Sequence, residues 1–140
     1  MTRLVARHAP AIKADRSMLA AAVPGNAHDI GLRMVTDMFR LAGWRCLFLG
    51  ANVPASEIAN AAVSQDVDLV VLSATLATQL KELEHAIAMI RAAGARARIL
   101  AGGLAFADAP ALWRQLGADG YASDLDAAVA AGERLVAASH

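Results

Sequence analysis

The sequence predicts an α/β protein: one doubly wound, five-stranded parallel sheet in the order 2-1-3-4-5, with helices on both faces. Three observations predict it. Short apolar runs recur along the chain, and Asp68–Leu72 (DLVVL) is apolar enough for a strand covered on both sides. Segments with helical spacing of apolar residues separate these runs. Glycine or proline punctuates the joins.

Each element has its own reason. Met18–Val23 is an uninterrupted apolar run and reads as the first strand. Ile30–Ala42 follows as a helix, with Ile30, Met34, Met38 and Leu41 at helical spacing and Val35 and Phe39 beside them; Gly43 stops it. Arg45–Leu49 is the second strand. Pro54 opens a helix through Val63, because proline in a first turn costs no hydrogen bond. Asp68–Leu72 is the third strand, Gln79–Ala93 the third helix ending near Gly94, and Ala97–Ala101 the fourth strand before Gly102-Gly103. A helix is expected over Asp108–Leu116 and a short fifth strand at Gly120-Tyr121. Asp124 is placed to cap a last helix that runs to about Ala138. This count and alternation match the flavodoxin-like (Rossmann-like) arrangement. Residues 1–16 read as an arm or short extra helix, and residues 17–140 as the single domain.

Composition narrows the function classes. The 140 residues carry 13 basic and 13 acidic side chains, a formal net charge of +0, so bulk charge does not favour nucleic acid. Arg96 and Arg98 flank a strand and read as a solvated edge. The one cysteine, Cys46, lies in an apolar run; it excludes an internal disulfide and reads as a buried structural thiol in a cytoplasmic protein. No stretch is long and apolar enough for a membrane helix, and the first residues lack the apolar centre of a signal peptide.

In such folds ligands bind beyond the carboxyl ends of the strands, near the point where strand order reverses. The loops there read PGNAHDIG (24–31), SATLAT (73–78) and GGLAF (102–106). A phosphoacceptor domain needs acidic residues in the first loop, an aspartate ending strand three and a lysine after strand four. This chain has Asn26 and His28, Ser73, and Gly102-Gly103 there instead. Gly25 and Gly31 are too far apart for a dinucleotide turn, the first turn lacks the hydroxyls of a flavin phosphate loop, and no residues show zinc spacing. Each unusual residue also has a plainer reading: Asn26 as a helix cap, His28 as a surface residue, Ser73 and Thr75 as a strand end, Gly102-Gly103 as a turn. His85 sits among Lys81, Glu82 and Glu84 on a solvated face. Trp44 reads as packing or a lip of the ligand face, and Trp113 as core or partner surface.

Taken together, the three loops resemble the cobalamin-binding domain family. Its signature runs Asp-x-His-x-x-Gly, then Ser-x-Leu/Val/Thr, then Gly-Gly. Here these are Asn26-Ala-His28-Asp29-Ile-Gly31, Ser73-Ala-Thr75 followed by Leu76, and Gly102-Gly103, separated by residues 32–72 and 76–101. The resemblance spans roughly residues 17–138. The wording around it, VPGNAHDIGLRMV, FRLAGWRCLFLGANVP and LSATLATQL, looks most like the domains of bacterial sensory and light-responsive regulators.

The resemblance implies a cobalamin, as adenosylcobalamin or methylcobalamin, held base-off with His28 as lower axial cobalt ligand. Neutral imidazole suits a transition metal, and protonation competes with it, so binding through His28 should fail well below about pH 6. The ring's other N–H needs an acceptor; the family's aspartate is replaced by Asn26, which accepts without charge. Gly31, Gly102 and Gly103 would give the displaced nucleotide tail room, and Ser73 and Thr75 would offer hydroxyls. Asp29, Leu49, Gly50, Val53 and Leu76 complete the candidate lining. The expectation is a non-enzymatic sensory or photoreceptor module signalling to a protein partner, or self-associating, through an open corrin face, with no nucleic-acid or membrane binding. The rivals are the small cobalamin-carrying subunit of a carbon-skeleton mutase or a corrinoid methyl-transfer system, and a haem-binding or ligand-free interaction domain.

Overall fold

The computed structural model describes residues 16–23, 30–107 and 109–138. The strands are β1 (Ser17–Ala22), β2 (Arg45–Gly50), β3 (Leu69–Ser73), β4 (Arg98–Gly102) and β5 (Gly120–Ala122). The helices are α1 (Ile30–Leu41), α2 (Ala55–Ser64), α3 (Leu80–Ala92), α4 (Trp113–Leu116) and α5 (Leu125–Ala138). All strand pairs are parallel, and the order is β2-β1-β3-β4-β5, as the alternation predicts.

Side chains leave alternate strand positions toward opposite faces. Leu19, Ala21, Val70, Leu72 and Ile99 pack under α2, α3 and α4. Met18, Ala20, Leu69, Val71 and Leu100 pack under α1 and α5. The central strands are buried on both faces, which explains their unbroken apolar sequence.

Asp68, just before β3, is almost wholly buried. Its carboxylate accepts the Ser17 N–H at 2.9 Å and pairs with Arg96 at 2.8 Å. It therefore ties β1, β3 and the approach to β4 together at the amino ends of the strands. The solvated edge expected at Arg96 is thus partly a clamp, with Asp66 as its second partner at 2.9 Å.

Two expectations are corrected. The helix expected over Asp108–Leu116 is broken: 3-10 turns at Leu104–Phe106 and Pro110–Leu112 precede the short α4. Pro110 supplies no N–H, and Ala109 before it (φ −149°, ψ 68°) is outside the helical region. Asp108 lies outside the described residues. The inward face of α1 also differs. Leu32, Thr36 and Phe39 are buried, whereas Ile30 and Leu41 are 74% and 68% exposed. Apolar residues occur on two sides of this helix, and packing selects the side carrying Phe39. That ring meets Trp44 edge-on at 4.9 Å and lies where a side chain at Gly132 of α5 would be. Trp44 is packing, not a lip of the ligand face.

Smaller shifts follow local chemistry. The third helix starts with a 3-10 turn at Ala77–Gln79. Asp124 caps α5, its Oδ1 accepting the Ala127 N–H at 2.8 Å. Cys46 is half-buried on the edge strand β2 rather than enclosed, and burial pushes its thiol up to about 11. No helix among the described residues is long and apolar enough to cross a membrane.

Candidate functional site

Packing between α1 and α5 is uneven along their length. A Cβ at Gly132 would stand 2.8 Å from both Phe39 Cζ and Leu69 Cδ2, so the lack of a side chain there brings the far ends of the helices together. Toward their amino ends a cavity of about 1040 Å³ opens over the carboxyl ends of β3, β4 and β5. Leu32 and Val35 of α1 face Leu125 and Ala128 of α5 across it. Its floor is Val71, Leu100 and Ala122.

Two loops at its mouth are stitched together by backbone. Ala74 N–H donates to Gly102 O, and Ala105 N–H to Ala74 O, each at 3.1 Å. This closeness depends on Gly103, whose φ is +111°; a Cβ there would run into the Ala74 carbonyl, with its carbon 2.9 Å away. A Cβ on Gly102 would lie 3.3 Å from Ala122 O. Gly103 therefore lets the two loops lock together, and Gly102 eases the close pairing of β4 with β5; both glycines also line the cavity, where the sequence suggests room for a ligand. Gln79 shapes the β3 loop from beneath. Its buried side-chain oxygen accepts the N–H groups of Thr75 and Leu76, both at 3.0 Å.

Gly31 behaves differently. It lines the cavity from the first turn of α1, and among the described residues outside its own helix turn no heavy atom lies within 4 Å of where its Cβ would be. No contact among the described residues calls for a glycine there, while a helix pays about 0.5–1 kcal/mol for one relative to alanine. A bare position in the wall of a large cavity is explained by an occupant that needs the space. The residues present thus fit a bulky ligand inserted between α1 and α5.

Of the sequence-nominated residues, the structure brings Gly31, Ser73, Thr75, Gly102 and Gly103 to this one cavity. Leu49 and Val53 instead line a separate depression of about 490 Å³ where β2 meets α2. Gly50 and Leu76 line neither. β2 is an edge strand, so its carboxyl end is offset from the α1–α5 cleft by the full width of β1. Asn26, His28 and Asp29 lie outside the described residues. Among the described residues no group of His, Cys, Asp and Glu is placed to hold a metal ion.

Sequence reasoning missed the loop after β5. Ser123 and Asp124 line the cavity, and Asp124 is the one charged side chain doing so among the described residues. The signal was present in the capping aspartate, but the strand-order rule directs attention to β1 and β3. Three exposed large apolar side chains, Ile30, Leu76 and Leu104, also follow strand ends: they flank the loops after β1, β3 and β4.

Comparison with known proteins agrees with this fold. Residues 16–130 match the family model for the B12 binding domain. The chain is 32% identical over 117 residues to dimethylamine corrinoid protein 3 of Methanosarcina acetivorans, covering 81% of this chain and 54% of the relative. It thus spans about half the length of the curated relatives it matches, among them a dimethylamine corrinoid protein of Methanosarcina barkeri at 31% identity over 118 residues, with 82% of this chain and 54% of the relative covered. Among solved structures, the fold superposes on a cobalamin-binding protein from Desulfitobacterium hafniense DCB-2 with a TM-score of 0.80 at 24% identity, covering 88% of this chain and 60% of that one. It superposes equally, at 0.80 and 23% identity, on the Methanosarcina barkeri monomethylamine corrinoid protein, covering 94% and 63%. These relatives carry the names of corrinoid proteins, not of the sensory regulators that the sequence wording resembles.

Proposed function

The chain belongs to the B12 binding domain family and its cofactor is a corrinoid, and we propose that it is the corrinoid-carrying component of a methyl-transfer system. The observation that carries this reading is the cavity with Gly31 in its wall, in a chain about one-third identical to dimethylamine corrinoid proteins. A bound corrinoid would supply the cobalt at which a one-carbon group is taken up and released.

The chain's own residues would bind and orient it. His28 would offer a ring nitrogen to cobalt, and Asn26 would accept the other ring N–H and fix the tautomer. Gly31 would leave the cleft open. Ser73, Thr75, Ser123 and Asp124 would offer polar contacts at the mouth. A partner protein would approach across the rim that carries Ile30, Leu76 and Leu104, because the transferred group must be reached from outside.

Asn26 favours a second reading. An uncharged acceptor leaves the imidazole a weaker donor than aspartate would, which suits a cobalamin-dependent sensory module better than repeated methyl transfer. One experiment separates the two. Purified protein is loaded in the dark with hydroxo- or methylcobalamin, freed of excess ligand, and its absorption spectrum and elution volume are recorded before and after green light, with His28→Ala alongside. A carrier retains the corrinoid with a histidine-ligated spectrum that the variant lacks, and keeps its elution volume in light. A light-dependent change in size would support the sensor. Failure of the folded protein to retain any corrinoid would refute both.

A further inference from the structure

We infer that the outward face of α1 pairs two copies of this chain, helix against helix and antiparallel, about a two-fold axis level with residue 35. The sequence spaces Ile30, Met34, Met38 and Leu41 as one helical stripe, and the core does not use it. At about 100° per residue these four fall within about 80° of one another, while the buried Leu32, Thr36 and Phe39 lie on the opposite side of the helix. Ile30, Met34 and Leu41 are 74%, 48% and 68% exposed.

Other helices turn polar groups outward, as surface helices do. α2 exposes Ser56, Glu57 and Asn60, α3 exposes Lys81, Glu82, Glu84 and His85, and α5 exposes Asp126 and Arg134. Among the described helices α1 alone turns three large apolar side chains to solvent. Ile30 also stands at the rim of the cavity, but Met34 and Leu41 lie one and three turns below it. Neither lines the cleft, which Gly31, Leu32 and Val35 border instead.

The stripe is complementary to itself, as a two-fold interface requires. Antiparallel pairing about residue 35 sets Ile30 across from Leu41 of the second copy, and Met34 across from Met38. Charge fixes the same register. Like flanks meet in such a pair, and the flank beside the stripe carries Arg33, Asp37 and Arg40. Arg33 and Asp37 stand two residues to either side of residue 35, so each Arg33 comes level with Asp37 of the other copy, twice by symmetry. Moving the axis two residues either way would set Arg33 against Arg33, or Asp37 against Asp37. Both side chains are already held on this flank: the Asp37 carboxylate pairs with Arg40 at 3.1 Å, and the Arg33 guanidinium lies 4.7 Å from the centre of the Phe48 ring.

The contact is small. A helix of 12 residues is about 18 Å long, and one such pair falls short of the roughly 1,000 Å² of a stable interface. The dimer is therefore weak and concentration-dependent. Its geometry keeps the site accessible. Antiparallel helices place the two cavity mouths at opposite ends of the pair, so each stays open to a partner of its own. The face lies outside the cleft, and the inference does not rest on the corrinoid reading.

Sedimentation equilibrium on the 140-residue chain, from about 10 μM to about 1 mM, reads the association. The wild-type chain should pass from the monomer mass toward twice that mass over this range. Met34→Lys and Leu41→Lys should stay monomeric while unfolding at the wild-type urea concentration, because both positions are exposed. Arg33→Asp and Asp37→Arg should each weaken association roughly tenfold, and the chain carrying both substitutions should regain the wild-type value. That recovery is the decisive reading, since only a pairing that sets each residue against the other restores attraction on exchange. A wild-type chain still monomeric at about 1 mM would overturn the inference and leave the stripe to a different protein. Association that survives the lysine substitutions would overturn it too, as would a doubly exchanged chain no stronger than the single variants.

Discussion

Replacing Gly31 with alanine should stabilise the corrinoid-free protein and weaken corrinoid binding, two effects of opposite sign from one methyl group. The stabilising part comes from the backbone. Glycine in a helix costs about 0.5–1 kcal/mol relative to alanine, and a first-turn position belongs at the lower end. No clash offsets this among the described residues, none of which outside the helix's own turn lies within 4 Å of the new Cβ. The corrinoid-free variant should therefore gain about 0.5 kcal/mol. The weakening part comes from the cavity wall. A methyl group forced against a filled site costs about 1–3 kcal/mol, which is roughly a 5- to 150-fold loss of affinity. Urea unfolding of the corrinoid-free proteins measures the first effect, and titration with hydroxocobalamin followed by absorbance measures the second. A variant less stable than wild type would mean that the fold itself needs glycine at this position. A variant with unchanged affinity would mean that the space in front of Gly31 is not used. Either result would refute the assignment of this cavity.

Other expectations follow from the same contacts. Gly103→Ala should lose at least about 2 kcal/mol of stability, since it combines a strained positive φ with a collision at Ala74; unfolding curves matching wild type would show that the two loops are not locked together. Asp68→Ala should cost about 1–3 kcal/mol by leaving the buried Ser17 N–H without its acceptor, and Asp68→Asn should recover much of it; equal losses in the two variants would point to charge rather than the hydrogen bond. The Cys46 thiol, held protonated by burial with a value of about 11, contributes no pH dependence while it is protonated in both states. Above the ordinary thiol value of 9.0 the unfolded chain loses its proton first, so stability should fall from about pH 9 toward pH 11. Cys46→Ala should flatten that part of the profile, and a slope unchanged by the substitution would contradict the burial argument.

The sequence by itself determined the architecture. Runs such as LVVL at 69–72 are apolar at every position, and their shortness and paired valines suit a strand covered on both faces, while the punctuation between runs points to the parallel alternation. It also nominated residues at the carboxyl ends of the strands, and five of its twelve candidate residues line one cavity there. What it could not decide depends on which surfaces meet. Apolar residues lie on two sides of α1, and only the approach of Phe39 to Gly132 determines which side faces inward. Leu49 and Val53 read like site residues, yet edge-strand position sends them to a different depression. Gly31 and Gly103 are the same letter in the sequence. Their tertiary neighbours separate them, one with no described neighbour within 4 Å and the other pressed on the Ala74 backbone, because the need for a missing side chain is set by what would occupy its place.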